Sequence, residues 1–477
     1  MAEVQKDSSL AANLALVVGS LLFTALLLAA LEGALRFLGL GAPDEAQASR
    51  LKYQQIYLPI FESATRPDGQ RILHTTDSRL PYQSMLKEKP ASGLRVFTFG
   101  GSATAGLGFS PNVTFARHLE RMLERAYPDR LVEMINLGIV ALAARQVKVL
   151  VEDVCRNYSP DVVLIYSGNN EFLEIHAEKY AASNANPISR ITDLMAQTHI
   201  YRLVDRLVRG APETPSLAQQ NLSSADLRMT EEALIRDIEM RPEEIEAIIQ
   251  RYEKTIDGMA TACQQIQTPV VLMTVASNWR WRGREDLPED WLNALVPTKD
   301  IPLAERYRQA ITLLTERIES SPLDERYEWQ FKRAVAAEIL GEFQEARDDY
   351  RASMNNDPHL RRALDAFAQR VRHVADNRGT HLVDVVETLS AQASHCIIGF
   401  DEFYDYVHFT PRGVVQVATE AFRVMLGGGI LPESAGFDPD DYAQERFAWQ
   451  AELTEDPLDV GEWLGFGFDS AGIVDRD

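Results

Sequence analysis

The chain opens on an apolar run, crosses a polar stretch dotted with proline, and then settles into short apolar blocks separated by amphipathic ones. Across residues 10–31 nothing is charged, and Leu, Ala and Val dominate. That matches the roughly 20 residues a helix needs to cross the hydrocarbon core of a bilayer. The run is longer than the apolar core of a secretory signal, and only Lys6 and the terminal amine precede it, so it reads as an uncleaved anchor. Ala29-Ala30 keeps a cleaved signal as the alternative. Residues 41–92 carry Pro59, Pro67, Pro81 and Pro90 and read as an extended stalk, partly packed on the domain C-terminal to it.

From residue 93 the pattern becomes regular. Residues 94–99 (Leu-Arg-Val-Phe-Thr-Phe) form a strand that runs into Gly100-Gly101. Residues 114–127 have helical spacing, with Phe115, Leu119, Met122 and Leu123 on one face. A strand over 131–135, a helix over 146–158 and a near-continuous apolar strand over 161–166 come next. Residues 173–242 read as helical or irregular. A helix over 243–265 leads into a strand over 268–274, whose end carries Ser277-Asn278-Trp279-Arg280-Trp281. A helix over 362–378, a strand over 381–384 and a closing helix over 414–426 complete the alternation. Such alternation predicts an α/β domain with a parallel five-stranded sheet and helices on both faces.

Residues 303–360 interrupt it with an all-helical pattern. Segments 310–322 and 346–358 share one internal spacing. The second, with Leu340-Gly341-Glu342-Phe343, Tyr350 and Asp357-Pro358, resembles the second half of a tetratricopeptide repeat. A helical insertion that merely packs against the sheet is the alternative. After residue 427 the chain is acidic and rich in Gly and Pro, and reads as a wrapping or disordered tail. The expected organisation is an anchor (1–40), a stalk (41–92), an α/β domain in two parts (93–300 and 361–427), a helical insertion (301–360) and a tail (428–477).

Charge removes one class of partner. With 70 acidic and 48 basic residues the net charge is −22, and such a surface repels a phosphate backbone, so no nucleic-acid partner is expected. Cys155, Cys263 and Cys396 are far apart and show neither metal spacing nor a disulfide framework. Cys155 and Cys263 fall on apolar helical patterns and read as small buried hydrophobes. Lys6 lies on one side of the apolar run, and Arg36, Arg50 and Lys52 on the other, a weak bias toward a cytoplasmic C-terminal domain that long domains often override.

The candidate chemistry gathers at strand ends. In an open parallel sheet, ligands bind beyond the carboxyl ends of the strands. Ser102 follows the first strand through Gly100-Gly101, which let the backbone turn sharply. In Asp405-Tyr406-Val407-His408, residues three apart can share a face, so the carboxylate can hold Nδ1–H of the imidazole and leave Nε2 to accept a proton. A serine hydroxyl is a weak nucleophile until such a base takes its proton. Ser167-Gly168-Asn169-Asn170-Glu171 brings side-chain amides to the end of the third strand, and Asn136-Leu137-Gly138-Ile139-Val140-Ala141 brings backbone amides to the end of the second. Either can donate to an oxyanion. Taken singly, each is an ordinary turn or surface pair; their joint order along one edge is the signal.

Ser102 in Gly-Gly-Ser, Asn170 in Gly-Asn-Asn-Glu, and the pair Asp405 and His408 together resemble the SGNH (GDSL-like) hydrolase superfamily. The match runs over about residues 94–172, 268–278 and 380–427, and the insertion and N-terminal helix resemble a membrane-anchored bacterial subgroup. The resemblance implies a flavodoxin-like fold. It also implies a serine esterase that needs no cofactor and no metal, with Ser102 as nucleophile and Asp405 and His408 as its activating pair. Asn170 and the main chain of Ala141 are the implied oxyanion donors. Gly138 and Asn278 are further candidates for contact with substrate. The chain departs from the family in having Gly101 before the serine, Ala141 where a glycine is usual, and Glu171 for an aspartate. The implied substrate is a carbohydrate or lipid ester, with the catalytic domain outside the cytoplasm. An O-acyltransferase acting on a polysaccharide, and an envelope scaffold that takes a protein partner through the helical insertion, are the competing readings.

Overall fold

The computed structural model describes residues 2–41, 54–109, 113–176, 179, 195, 198–209, 240–282, 287, 290–298, 300–433 and 436–450. Its centre is a five-stranded parallel sheet of β4 (Leu94–Gly100), β5 (Val132–Gly138), β6 (Val162–Tyr166), β7 (Val270–Met273) and β8 (His381–Val383), in the order β5-β4-β6-β7-β8. In chain order this is 2-1-3-4-5, the flavodoxin-like arrangement that the sequence reading implied. Every residue of β4, β6 and β7 is buried, as strands covered on both faces must be. The strands begin within a residue or two of their expected positions, because continuous apolar runs of this length leave little choice of register.

Arg95 is the one charge inside β4, 2% exposed. It survives burial because its guanidinium donates to Glu133 Oε2 on β5 (2.8 Å), to the Tyr158 carbonyl (2.9 Å) and to the Leu86 carbonyl (2.6 Å). That network corrects the expected stalk. Residues 61–65, 71–75 and 84–86 form a second, antiparallel sheet, β1-β2-β3. Ile56, Ile60, Phe61, Leu80 and Met85 belong to the main core. Leu86 N–H donates to Glu133, and Gln83 bonds the Asn136 backbone in both directions. Residues 54–92 are therefore built into the domain.

The expected helical insertion consists of three helices, Leu303–Ser320, Arg326–Leu340 and Phe343–Asn356. Phe331, Ala334, Ala337, Ala346, Tyr350 and Met354 share the core of the sheet domain. Cys155 and Cys263 are buried on neighbouring helices, with sulfurs 3.6 Å apart. A helix not anticipated from sequence, Val385–Gln392, starts where Asp384 accepts the Glu387 N–H.

Two terminal elements differ in character. Helix Ala2–Phe37 contains a span, Leu16–Phe37, with mean hydropathy 2.1 and largely exposed apolar side chains, long and apolar enough to cross a membrane. The expected tail instead begins with a docked helix, Pro439–Gln450. Tyr442 is 2% exposed and its hydroxyl lies 2.8 Å from His118 Nδ1, while Arg125 pairs with Glu445. A second ion pair, Arg423 with Asp440, and Arg412 over the Phe447 ring help to hold this acidic, weakly apolar segment. Residues 451–477 lie outside the described residues.

Burial, with Arg121, Arg446 and Arg117 nearby, lowers the His118 pKa from 6.5 to about 3. The unfolded chain then takes a proton below pH 6.5 that the folded chain refuses, so stability falls as the pH drops from 6.5 toward 3. In His118→Gln this acid-side loss should shrink. Denaturant midpoints for both proteins across that window check it, and parallel curves would contradict it.

Candidate active site

The site begins at the carboxyl end of β4. Gly100 and Gly101 carry the chain around, and Ser102 opens a short helical turn, Ser102–Ala105. A Cβ on Gly100 would lie 2.1 Å from both Thr104 Oγ1 and the Tyr166 carbonyl oxygen, and one on Gly101 would lie 2.6 Å from Asn170 Nδ2. The turn is thus pressed between the ends of β4 and β6, and at Gly100 only glycine fits. The Thr104 hydroxyl also donates to the Tyr166 carbonyl (3.1 Å).

The structure brings Ser102, His408 and Asp405 into one chain of hydrogen bonds. His408 Nε2 is 2.7 Å from Ser102 Oγ, and Nδ1 is 2.5 Å from Asp405 Oδ2. The second carboxylate oxygen, Oδ1, accepts the N–H groups of Val407 and His408, each at 2.8 Å. With both Asp405 oxygens engaged, the carboxylate is fixed in place. A proton on Nδ1 leaves Nε2 as an acceptor for the serine hydroxyl. Ser102 is 6% and His408 2% exposed.

The loop bearing this pair is held from three sides. Helix Pro411–Gly427 follows it at once, with Thr410 accepting the Gly413 N–H. Tyr404 stacks on the imidazole at 5.7 Å between ring centroids, and its hydroxyl donates to the Leu107 carbonyl beyond the serine turn. Tyr406 meets the imidazole edge-on at 5.9 Å and itself packs on Trp281 at 5.0 Å. Neither tyrosine was expected from sequence, although their places on either side of Asp405 were a signal.

Asn278 is a correction. Expected to contact substrate, it is fully buried. Its amide donates to the Asp405 carbonyl, its N–H to the Tyr406 carbonyl, and its Oδ1 accepts the Arg280 N–H. It positions the Asp405 loop. Its own carbonyl accepts from Arg362, whose guanidinium lies over Trp281. Arg280 reaches Glu338 (2.6 Å), which also accepts the Tyr350 hydroxyl (2.8 Å), so the helical insertion braces the same loop. Gly138 is the second correction: a Cβ there would sit 2.4 Å from Ala105 N, so it is closed off behind the serine turn instead of facing a ligand.

On the opposite side stand Asn170 and Ala141. Asn170 Nδ2 donates to the Leu142 carbonyl (2.9 Å), which leaves its second amide hydrogen available. Ala141 has φ +63°, in the left-handed region. A glycine would sit there without strain; alanine costs about 1 kcal/mol. Gln54 Nε2 donates to the Ala141 carbonyl (2.6 Å), and Glu171 Oε1 accepts the Ala144 N–H (2.7 Å) where helix Ala144–Asn157 starts. Among the described residues, no group of three or more His, Cys, Asp or Glu side chains converges as a metal site would.

Comparison with known proteins gives similarity to solved structures alone. No family model matches the chain, and no curated protein does. Among solved structures, the chain is similar to a catalytic mutant of Axe2, an acetylxylan esterase from Geobacillus stearothermophilus, at 14% identity over 74% of this chain and 98% of that one, with a TM-score of 0.33. It is similar to LAE5, an α/β hydrolase enzyme from the metagenome of Lake Arreo, at 14% identity over 73% and 99%, TM-score 0.33. A GDSL-like lipase from Parabacteroides merdae gives 12% identity over 72% and 100%, TM-score 0.33.

Burial pushes the Glu171 carboxyl up to about 7 from 4.5, outweighing the Ala144 N–H that favours its charged form. Ionising it therefore weakens the fold: stability is full below pH 4.5 and declines as the pH rises through 7. Glu171→Gln keeps an acceptor for Ala144 without the charge. It should gain on the wild type across that window, by about 3 kcal/mol at pH 8. Urea midpoints of the two proteins measure the gain, and an offset independent of pH would contradict it.

Proposed function

We propose that the chain is a serine ester hydrolase of the SGNH type, acting through an acyl-enzyme on Ser102. The observation that carries this reading is the hydrogen-bond chain from Ser102 Oγ through His408 to Asp405 at 2.7 and 2.5 Å. His408 takes the hydroxyl proton as Ser102 attacks the ester carbonyl, and Asp405 orients the imidazole and stabilises its charged form. The Asn170 amide and the N–H groups of Ala141 and Ser102 receive the oxyanion. His408 then passes its proton to the leaving alcohol, and water, activated by the same imidazole, releases the acid. The proposed substrate is an acyl ester of a carbohydrate or a lipid. The half-buried Tyr406 ring beside the imidazole is aromatic surface suited to a sugar ring or an acyl chain.

One observation favours a second reading, transfer of the acyl group to a carbohydrate hydroxyl. Ser102 and His408 are almost closed to solvent, and an acyl-enzyme kept from water survives long enough to meet another acceptor.

A fluorophosphonate probe should label the full chain in detergent, and Ser102→Ala should lose the label with its melting curve unchanged. On an aryl acetate, Asp405→Asn should lower kcat by about 10⁴-fold, because the imidazole then holds the wrong tautomer. A folded wild type that takes no label would sink the assignment. Adding sugars to the assay and weighing the products separates hydrolysis from transfer.

We also infer that helix Ala2–Phe37 anchors the protein in a membrane, with the catalytic domain outside the cytoplasm. Its length, its hydropathy and the exposure of its apolar side chains support the anchor. Alkaline extraction should leave the full chain in the membrane pellet, and externally added protease should reach the domain in cells with a permeabilised outer envelope. Release by alkali would contradict the anchor; protection from protease would contradict the orientation.

A further inference from the structure

Among the described residues, helix His199–Arg209 is fastened to the apolar N-terminal helix. Its first two backbone N–H groups, those of His199 and Ile200, donate to the two carboxylate oxygens of Glu32 at 2.9 and 3.1 Å. His199 Nδ1 lies 2.8 Å from the Leu40 carbonyl oxygen. Glu32 and Leu40 bracket the end of the span Leu16–Phe37, so this helix starts at the level where the span ends.

Its sequence is two-sided. Ile200, Leu203, Val204, Leu207 and Val208 recur at the spacing of one helical stripe. Ile200 and Leu203 are half-buried, and among the described residues the C-terminal half of the stripe is open: Val204 is 53% exposed, Leu207 77% and Val208 78%. Residues 199–209 include three arginines and one aspartate, a local positive charge in a chain whose net charge is −22. An open apolar stripe, local positive charge and attachment to the end of a membrane span are together what an in-plane interfacial helix requires.

We propose that helix His199–Arg209 lies in the interface of the bilayer that holds the N-terminal helix, its apolar stripe in the acyl-chain boundary and its positive charge against lipid phosphates. This rests on the anchor reading above. The pair forms an elbow, one helix through the bilayer and an eleven-residue helix along its surface. The elbow sets how the attached domain stands over the membrane.

The test uses the full chain in vesicles of phosphatidylcholine and phosphatidylglycerol, with the exposed Cys396 changed to serine and one fluorophore at a new cysteine. Val208→Cys and Leu207→Cys are the reporters. Leu27→Cys marks the span and Glu62→Cys marks water. Brominated lipid should remove most of the emission at Leu27→Cys, Leu207→Cys and Val208→Cys, and leave Glu62→Cys unchanged; aqueous iodide should do the reverse. If the Leu27→Cys label escapes brominated lipid, the anchor reading fails and this inference falls with it. If Leu27→Cys is quenched but Leu207→Cys and Val208→Cys answer to iodide like Glu62→Cys, the anchor stands and the interfacial helix is overturned. Shielding of those reporters from both quenchers would mean that protein covers the stripe, which overturns it equally.

Discussion

The bond between Ser102 Oγ and His408 Nε2 joins side chains 306 positions apart in sequence. Closing a flexible loop of that length costs about 5 kcal/mol in chain entropy. A single hydrogen bond returns about 1 kcal/mol net. The contact therefore cannot hold itself together; it exists only because the sheet has already brought its two ends to one rim. β4 delivers the serine, β8 delivers the segment that leads to the histidine, and β6 and β7 fill the space between them. Any change that shifts β4 against β6 by one residue would turn Gly100 away from Tyr166 and remove the serine from the imidazole.

The histidine side needs more support than the serine side, because a loop carries it. Strand β4 is hydrogen-bonded on both edges, and Ser102 follows it directly. His408 stands some 25 residues past the end of β8, beyond a helix and several turns. The compensation comes from polar groups buried beside the loop. Asn278 holds Asp405 and Tyr406 by their backbones, and Arg362 in turn holds Asn278. Burial lowers the Arg362 pKa only to about 10, so it stays charged at neutral pH, with its guanidinium over Trp281. Breaking one member of such a chain leaves the next with an unmet polar group, which costs more than the bond itself. Through Arg280 and Glu338 the helical insertion joins the same support, so it belongs to the architecture of the site as well as to the surface.

Much of this was legible in the residues, and the limits have physical causes. Strands β4, β6 and β7 are buried on both faces, so their sequences are unbroken apolar runs that read only one way. Ser102, Asn170, Asp405 and His408 were legible because each follows a strand end or precedes a capped helix. Asn278 was misread because an amide at a strand end looks the same whether it meets a ligand or a backbone. Residues 61–86 were misread as stalk because their strands are three to five residues long, interrupted by proline, and buried on one face only. Helix Pro439–Gln450 was hidden by its acidity: its docking uses a buried tyrosine and ion pairs, none of which leaves a periodic trace.

The loop over residues 139–144 shows why the misread segment matters. Ala141 sits in the left-handed region, a conformation that alanine does not choose unaided. Gln54 from the supposed stalk takes its carbonyl, Asn170 takes the carbonyl of Leu142, and Glu171 takes the N–H of Ala144. Three side chains from two segments thus fix three consecutive parts of one turn. In the proposed mechanism this loop supplies an oxyanion donor, and donors held in place need not reorganise when charge develops. The strain at Ala141 is therefore carried by the fold, and part of what carries it lies in residues that neither periodicity nor motif marks as functional.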